Sequence, residues 1–137
     1  MAANRKYGQN NWIMPNLKAT AQTASRTSNH ALAGDPVVIG QMSGVALDDA
    51  DSGGLTRVQR DGIFNMLVAG IDSSGTSAAD ANVAVLGGDI IYFDPAKTPP
   101  LSKRAGGIRF GYAAGDAGVQ QVASGSTTTK INVQVGY

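Results

Sequence analysis

The stretch "GDPVVIG", residues 34–40, indicates the fold class, because a Gly-Asp turn leads directly into apolar and β-branched residues. Pro36 stands at the first position of this segment, where a strand tolerates the missing N–H. The same arrangement returns in "GDIIYFD", residues 88–94. We therefore predict two buried strands, each beginning directly after a Gly-Asp pair.

These two strands belong to a longer pattern. Each Gly-Asp is followed by a Gly-x-Ala motif, at residues 44–46 and 111–113, and then by Thr56-Arg57-Val58 or Thr129-Lys130-Ile131. The spacing between matching motifs grows along the chain, whereas a solenoid repeat keeps a fixed period. Short strands separated by turn signals favour a closed or layered β-architecture. We predict an all-β fold, a small β-barrel or sandwich with two pseudo-duplicated halves.

Further strands are predicted from short apolar or alternating runs bounded by turns. They lie in residues 43–49, 55–70, 83–86, 108–114 and 129–137. Asp61-Gly62, inside the second of these runs, suggests a tight hairpin or a bulge. Residues 73–82 are predicted as a loop that could hold one helical turn capped by Ser77, and residues 95–107 as a connection bounded by Pro and Gly.

Length and composition limit the class of protein. The 137 residues are enough for one domain with a modest core. All ten acidic residues are Asp, which favours turns, and none is Glu, which favours helix interiors. The chain has no Cys, which excludes a disulfide framework and a cysteine nucleophile. No apolar run suits a membrane span or a signal peptide, so we expect an intracellular protein without a membrane partner.

Residues 1–33 are predicted to form an extended N-terminal arm, because they show no sustained period of 2 or 3.6. The alanines of residues 19–33 could support a weak helix, which Thr, Ser and Asn dilute. Residues 1–34 carry four basic residues and no acid, whereas the rest of the chain carries seven basic residues and ten Asp. We predict two parts, the cationic arm at residues 1–33 and a β-rich domain at residues 34–137.

An apolar cluster interrupts the arm at Trp12, Ile13, Met14 and Leu17. A large exposed aromatic side chain is costly, so Trp12 is expected to pack against another surface. It could fold back on its own barrel, or it could dock on a neighbouring subunit or another partner, a role in which Trp is over-represented. An extended arm can also add a strand to an exposed sheet edge.

The residues that could carry chemistry give little support for catalysis. His30 is the only histidine and lies in the arm, and the chain has no Gly-x-Ser-x-Gly elbow or phosphate-binding loop. Asp49 and Asp51 resemble the start of a calcium loop, but the later ligands are missing, so a solvated turn is the simpler interpretation. We expect no enzyme activity, no cofactor and no metal. The arm's four charges are sparse for nucleic-acid binding, although Tyr7 and Trp12 could stack on bases.

Five motifs in residues 34–137 occur together in a recognisable order. They are Gly34-Asp35-Pro36-Val37, Gly44-Val45-Ala46, Asp61-Gly62-Ile63-Phe64, Gly88-Asp89 with Tyr92, and Gly111-Tyr112-Ala113. Each motif alone is weak, but in this order and spacing they make the chain similar to the tailed-bacteriophage capsid decoration proteins, also called cement proteins. Compared with shorter members of that family, the arm is longer and more basic, and residues 72–86 resemble an insertion.

The resemblance implies a compact β-tulip-like fold and homotrimers on the outer surface of an icosahedral head. The role that it implies is to clamp capsomers after the shell expands, with the major capsid protein and further copies of this chain as partners. The protein would be made in the host cytoplasm and end in the virion. The candidate capsid-binding residues are Arg5, Lys6, Tyr7, Trp12, Ile13, Met14, Leu17, Lys18 and Arg26. A head-completion or tail protein, or a nucleic-acid-binding accessory protein, are the alternatives.

Overall fold

The computed structural model of this chain describes residues 31–72 and 80–136, and the backbone of residues 13–18 and 20–21. The described chain is all-β, with 51% strand and no helix, which confirms the predicted fold class. One sheet is a curled half-barrel. The described chain therefore also contains no helix that could cross a membrane.

Fourteen strands make up the described chain. They are β1 (Ile13–Lys18), β2 (Thr20–Ala21), β3 (Pro36–Ile39), β4 (Met42–Ala46), β5 (Leu55–Gln59), β6 (Gly62–Leu67), β7 (Ile71–Asp72), β8 (Ala81–Asn82), β9 (Val85–Leu86), β10 (Ile90–Phe93), β11 (Leu101–Ser102), β12 (Ile108–Ala113), β13 (Gln120–Val122) and β14 (Lys130–Val135). Strands β3 and β10 begin directly after the two Gly-Asp pairs, as predicted.

Two five-stranded antiparallel sheets form the body. The first sheet has the order β1-β5-β4-β3-β2, and the second sheet has the order β11-β10-β12-β14-β6. Strand β14 shows the period expected of an antiparallel strand with one buried face, because it buries Ile131, Val133 and Val135 and turns the residues between them outward. Two short pairs, β7 with β8 and β9 with β13, complete the fold.

The main core draws side chains from both sheets. Phe93 and Phe110 are its largest members, with ring centroids 6.4 Å apart, and Val38 and Val45 join it from the first sheet. The Ser43 hydroxyl of β4 donates a hydrogen bond of 3.0 Å to the main-chain oxygen of Phe110 in β12, which ties the two sheets together. A smaller buried cluster lies under the first sheet and consists of Ala31, Val37, Ala46 and Val58.

A tight hairpin or a bulge was predicted at Asp61-Gly62; the hairpin is wrong, and the pairing of β6 from Gly62 onward shows no shift in register that would mark a bulge. Strand β5 pairs with β1 and β4, whereas β6 pairs with β14 in the other sheet. Gly62 has a φ of 114°, a conformation that residues with a Cβ rarely adopt, and it stands where the chain passes from the first sheet to the second. The dipeptide therefore marks a corner between sheets.

Both Gly-Asp pairs adopt the same local structure. The Asp35 carboxylate accepts a hydrogen bond from the N–H of Leu32 at 2.9 Å, and the Asp89 carboxylate accepts one from the N–H of Leu86 at 2.8 Å. Each preceding glycine has a positive φ and donates its N–H to the alanine of the matching Gly-x-Ala motif. The Asp in both pairs is therefore a turn residue that holds the start of a strand.

The duplication of whole halves stays a prediction. The strand ladders pair Ala46 with Val58 and Ala113 with Val133. In the second half, the residue that pairs with the motif alanine as Val58 does in the first half is therefore Val133. The sequence pattern had matched Val58 with Ile131, two residues earlier. The shared turns and the register of these strands do not by themselves establish that one half is a copy of the other.

Candidate functional site

The predicted capsid-binding residues divide into two groups. Ile13, Met14, Leu17 and Lys18 lie on β1, whose backbone pairs with β5 at the edge of the first sheet. The other predicted residues lie outside the described part of the chain; they are Arg5, Lys6, Tyr7, Trp12 and Arg26. Residues 13–18 thus belong to a sheet although they fall within the predicted arm.

The pairing of β1 fixes where the preceding residues join the body. Ile13 lies opposite Gln59, the last residue of β5, and only two residues separate β5 from β6. The segment before Ile13 therefore joins the body at the rim of the first sheet, beside the corner that leads into the second sheet.

The outward face of the second sheet carries apolar and aromatic side chains. A row of residues in register crosses four strands and consists of Ile90, Tyr112, Gln134 and Ile63. Ile63 is 60% exposed, which is unusual for an isoleucine in a strand. The Arg109 guanidinium lies 5.1 Å from the centre of the Tyr112 ring and donates a hydrogen bond to its hydroxyl. This composition is typical of binding surfaces, where Tyr and Arg are enriched.

A cluster of four charged residues joins two loops to the edge of β8. The Asp80 carboxylate accepts hydrogen bonds of 2.6 Å from Lys97 Nζ and from Arg104 Nε, and Arg104 Nη1 lies 2.7 Å from Asp94 Oδ2. The hydrogen bond from Lys97, followed by that from Arg104, lowers the pKa of Asp80 below its ordinary value. The side chain of Asp80 is only 16% exposed, so these ion pairs are better shielded from solvent than a typical surface pair.

The acidic turn at residues 48–51 uses its carboxylates within the fold. Asp51 Oδ1 accepts hydrogen bonds from the N–H groups of Gly53 and Leu55, and Asp49 Oδ1 accepts one from the N–H of Ala33, all at 2.9 Å. Asp48 forms an exposed pair with Arg57, whose hydrogen bond lowers the pKa of Asp48. Within residues 31–72 and 80–136 no group of three or more potential metal ligands is brought together. These carboxylates hold loops.

Asp80→Asn is expected to lower the melting temperature at pH 7, because the neutral amide cannot form the two ion pairs. A carboxyl whose pKa is lowered in the folded state contributes stability above its unfolded pKa and loses that contribution as the pH falls. The difference between the variant and the original protein should therefore shrink as the pH falls below 3.8, the ordinary value for Asp. Thermal unfolding followed by circular dichroism across this range measures the effect.

Asp48→Asn is the matched control for this prediction. Its pair with Arg57 has side chains that are 45% and 53% exposed, and exposed pairs contribute little to stability. We expect a clearly smaller shift in melting temperature for Asp48→Asn than for Asp80→Asn at pH 7. Equal shifts would contradict the special role of the Asp80 cluster.

The edge of the second sheet at β6 is the part of the surface that sequence reasoning missed. The run "GIFNML", residues 62–67, contains no charge and no proline, a signal that is present in the amino-acid sequence. Its position at a sheet edge, however, depends on pairing with β14, more than sixty residues later in the chain. No local pattern could have placed it there.

These features define the class as a small all-β protein, in which the described charged groups mostly support the fold. A profile of the phage cement protein family matches residues 18–133. The chain therefore belongs to the phage cement protein family, and the predicted family is confirmed. That family is structural and stabilises capsids, which implies association with a phage capsid and a place in the virion. No curated protein and no solved structure matches the chain.

Proposed function

We propose that this chain binds the outer surface of the expanded phage head as a homotrimer and links neighbouring capsomers, with residues 1–33 as the main contact. The observation that carries the proposal is the match to the cement protein family over residues 18–133, most of the chain. A cement protein needs a rigid body and a contact surface, and it needs no catalytic group.

The charge distribution supports a role for the N-terminal segment. Residues 1–34 carry a charge of +4, whereas the remaining residues carry −3, seven basic residues against ten Asp. A cationic segment suits an acidic lattice surface, speeds encounter and loses strength as salt is added. Since the segment before Ile13 joins the body at a sheet rim, it would extend the contact beyond the footprint of the body. A tethered second contact raises affinity through effective concentration.

A variant that lacks residues 2–12 tests this role, because it removes four predicted contact residues, Arg5, Lys6, Tyr7 and Trp12, and keeps β1 in the first sheet. Expanded empty heads are mixed with protein, sedimented and assayed for bound copies. We expect the variant to need at least about tenfold more protein for half-occupancy, since the tethered contact is lost. The intact protein should show weaker binding as salt is raised.

Arg57→Gln is the matched control, because it removes one positive charge from the body and leaves residues 1–33 intact. It should bind as the intact protein does. Full occupancy by the shortened variant at the original concentration would remove the role of residues 2–12, and failure of the intact protein to bind heads would remove the proposal itself. Copies spread over the whole surface of the head fit a cement protein, whereas a few copies at one vertex would favour a head-completion or tail protein.

A further inference from the structure

In the part of the chain that the structure describes, strand β6 has an open hydrogen-bonding edge, because β14 is its single strand neighbour there. Leu67 lies opposite Lys130 in this pair. The N–H of Val68 donates to the Thr129 oxygen at 3.1 Å in the same register. Because antiparallel pairs alternate between bonded and non-bonded residues, Phe64 and Met66 turn their main-chain groups toward β14. Ile63 and Asn65 therefore turn their N–H and C=O groups away from the sheet.

One outward group in this series already has a partner, which confirms the alternation. The N–H of Ala69, four residues beyond Asn65, donates to the main-chain oxygen of Leu101 at 2.8 Å and so connects the chain after β6 to β11. This contact occupies the edge only beyond the C-terminal end of β6. A cavity of about 370 Å³ lies beside the open part of the edge. Its lining includes Pro36, Asn65, Leu67, Pro99, Leu101 and Lys130.

The open edge lacks the usual protection against strand addition. Natural edges carry charged residues, prolines or bulges that prevent pairing with another chain. Residues 62–67 have no charge and no proline, and their pairing with β14 runs without a break in register. Ile63 is also 60% exposed on the outward face. An added strand would cover this side chain and satisfy the outward main-chain groups of Ile63 and Asn65.

Positive charge at both ends of the edge indicates the chemistry of the added strand. Lys130 lies opposite Leu67 at one end, and Arg60 lies two residues before β6 at the other. Asp61, which separates Arg60 from β6, already takes part in another interaction of the fold. Within the described chain neither Lys130 nor Arg60 forms a salt bridge, and Nε of Arg60 is buried without a hydrogen-bond partner. An antiparallel pair of two β6 strands would bring Arg60 of one copy toward Lys130 of the other, which like charges oppose. The edge therefore favours an acidic partner.

We propose that the β6 edge binds an extended, acidic segment of the shell protein, which adds to the second sheet as a sixth strand. This inference rests on the proposed function and assigns a second contact, on the body of the molecule. The main-chain groups of Ile63 and Asn65 supply the hydrogen bonds, and Arg60 and Lys130 select carboxylates at the two ends of a segment about six residues long.

Hydrogen exchange of the intact protein, free and bound to expanded empty heads, tests the contact directly. In the free protein the amides of Ile63 and Asn65 should exchange quickly, whereas those of Phe64 and Met66 should be slow because they are bonded to β14. Binding to heads should slow Ile63 and Asn65 at least about tenfold and leave Phe64 and Met66 nearly unchanged. Unchanged exchange at Ile63 and Asn65 on decorated heads would overturn the inference while leaving the proposed function standing.

Two substitutions at one position isolate the main-chain group. Asn65→Pro removes the outward N–H but breaks no main-chain hydrogen bond to β14. Asn65→Ala keeps this N–H. Both variants lose the hydrogen bond from the Asn65 side chain to Asn132. With melting temperature as the check on folding, we expect Asn65→Pro to weaken head binding by about tenfold relative to Asn65→Ala, from the loss of one main-chain bond. Equal affinity of the two variants would contradict strand addition.

The occupant is tested by concentration and by charge. Slow exchange at Ile63 and Asn65 in the free protein would overturn the inference. Protection that grows with protein concentration would mean that a second copy occupies the edge. Protection that persists on dilution would mean that residues of the same chain occupy it. Lys130→Gln should weaken head binding and reduce its salt dependence, whereas binding that is unchanged would exclude an acidic segment. A failure of the intact protein to bind heads would instead count against the proposed function.

Discussion

Gly111→Ala is expected to destabilise the protein by about 3 kcal/mol, a large fraction of the roughly 5–15 kcal/mol by which a typical domain is stable. Gly111 lies in β12 between β10 and β14, at a buried position. A Cβ at this residue would stand 2.0 Å from the main-chain oxygen of Gln134 and 3.0 Å from its carbon. A main-chain atom of a central strand cannot move away without breaking the hydrogen bonds between β12 and β14.

Chemical denaturation measures this loss, and Gly106→Ala is its matched control. Gly106 is exposed in a turn, and a Cβ there would meet only the end of the Arg104 side chain at 3.5 Å, an ordinary contact. We expect a change within about 0.5 kcal/mol for Gly106→Ala. A loss of less than about 1 kcal/mol for Gly111→Ala would contradict the close approach of β12 to β14.

Gly44→Ala should fall between these two variants. Gly44 holds the equivalent Gly-x-Ala position in β4, and a Cβ there would stand 2.4 Å from Val58 Cγ1 and 2.8 Å from the main-chain oxygen of Gln59. The methyl group of Val58 is buried and can shift only by disturbing its neighbours, but the main-chain contact, at 2.8 Å, is longer than at Gly111. The motif that indicated a repeat in the sequence thus reflects, at both positions, a strand that approaches its neighbour too closely for a side chain.

Local chemistry explains which elements could be predicted from the sequence. The starts of β3 and β10 depend on a glycine with positive φ and an Asp that bonds the main chain three residues earlier, and both requirements appear in the residue types. The alternation of β14 was equally visible, because one of its faces is buried. These features need no information from distant parts of the chain.

The failures of prediction concern pairing between distant residues. Asp61-Gly62 has the composition of a hairpin, and nothing near it shows that β6 pairs with β14 instead of β5. Strand β11 lies in a Pro-rich stretch that was predicted as a plain connection, and its partner is β10. For the same reason the open edge of β6 was missed, since an edge is defined by the absence of a neighbour. For the arm residues that lie outside the described chain, the role in capsid binding stays a prediction.

Phe110→Ala is expected to cost about 3–5 kcal/mol, the range for removing a buried aromatic ring. The Phe110 side chain is fully buried, and its ring stacks with that of Phe93, with centroids 6.4 Å apart, at the centre of the main core. The surrounding strands are fixed by their hydrogen bonds, so the core can collapse only partly around the missing ring. The free energy of unfolding from denaturant titration measures the loss.

Two further variants separate the lost ring from other causes. Phe110→Leu keeps most of the apolar volume and should recover a large part of the stability, whereas Val119→Ala, at a residue 51% exposed, should change it by less than about 0.5 kcal/mol. The Ser43 hydroxyl bonds the main-chain oxygen of Phe110, so the link between the sheets survives in every Phe110 variant. If Phe110→Ala and Phe110→Leu lowered the free energy of unfolding equally, the cause would be strain at β12. That result would contradict a core in which the Phe110 ring itself holds the two sheets together.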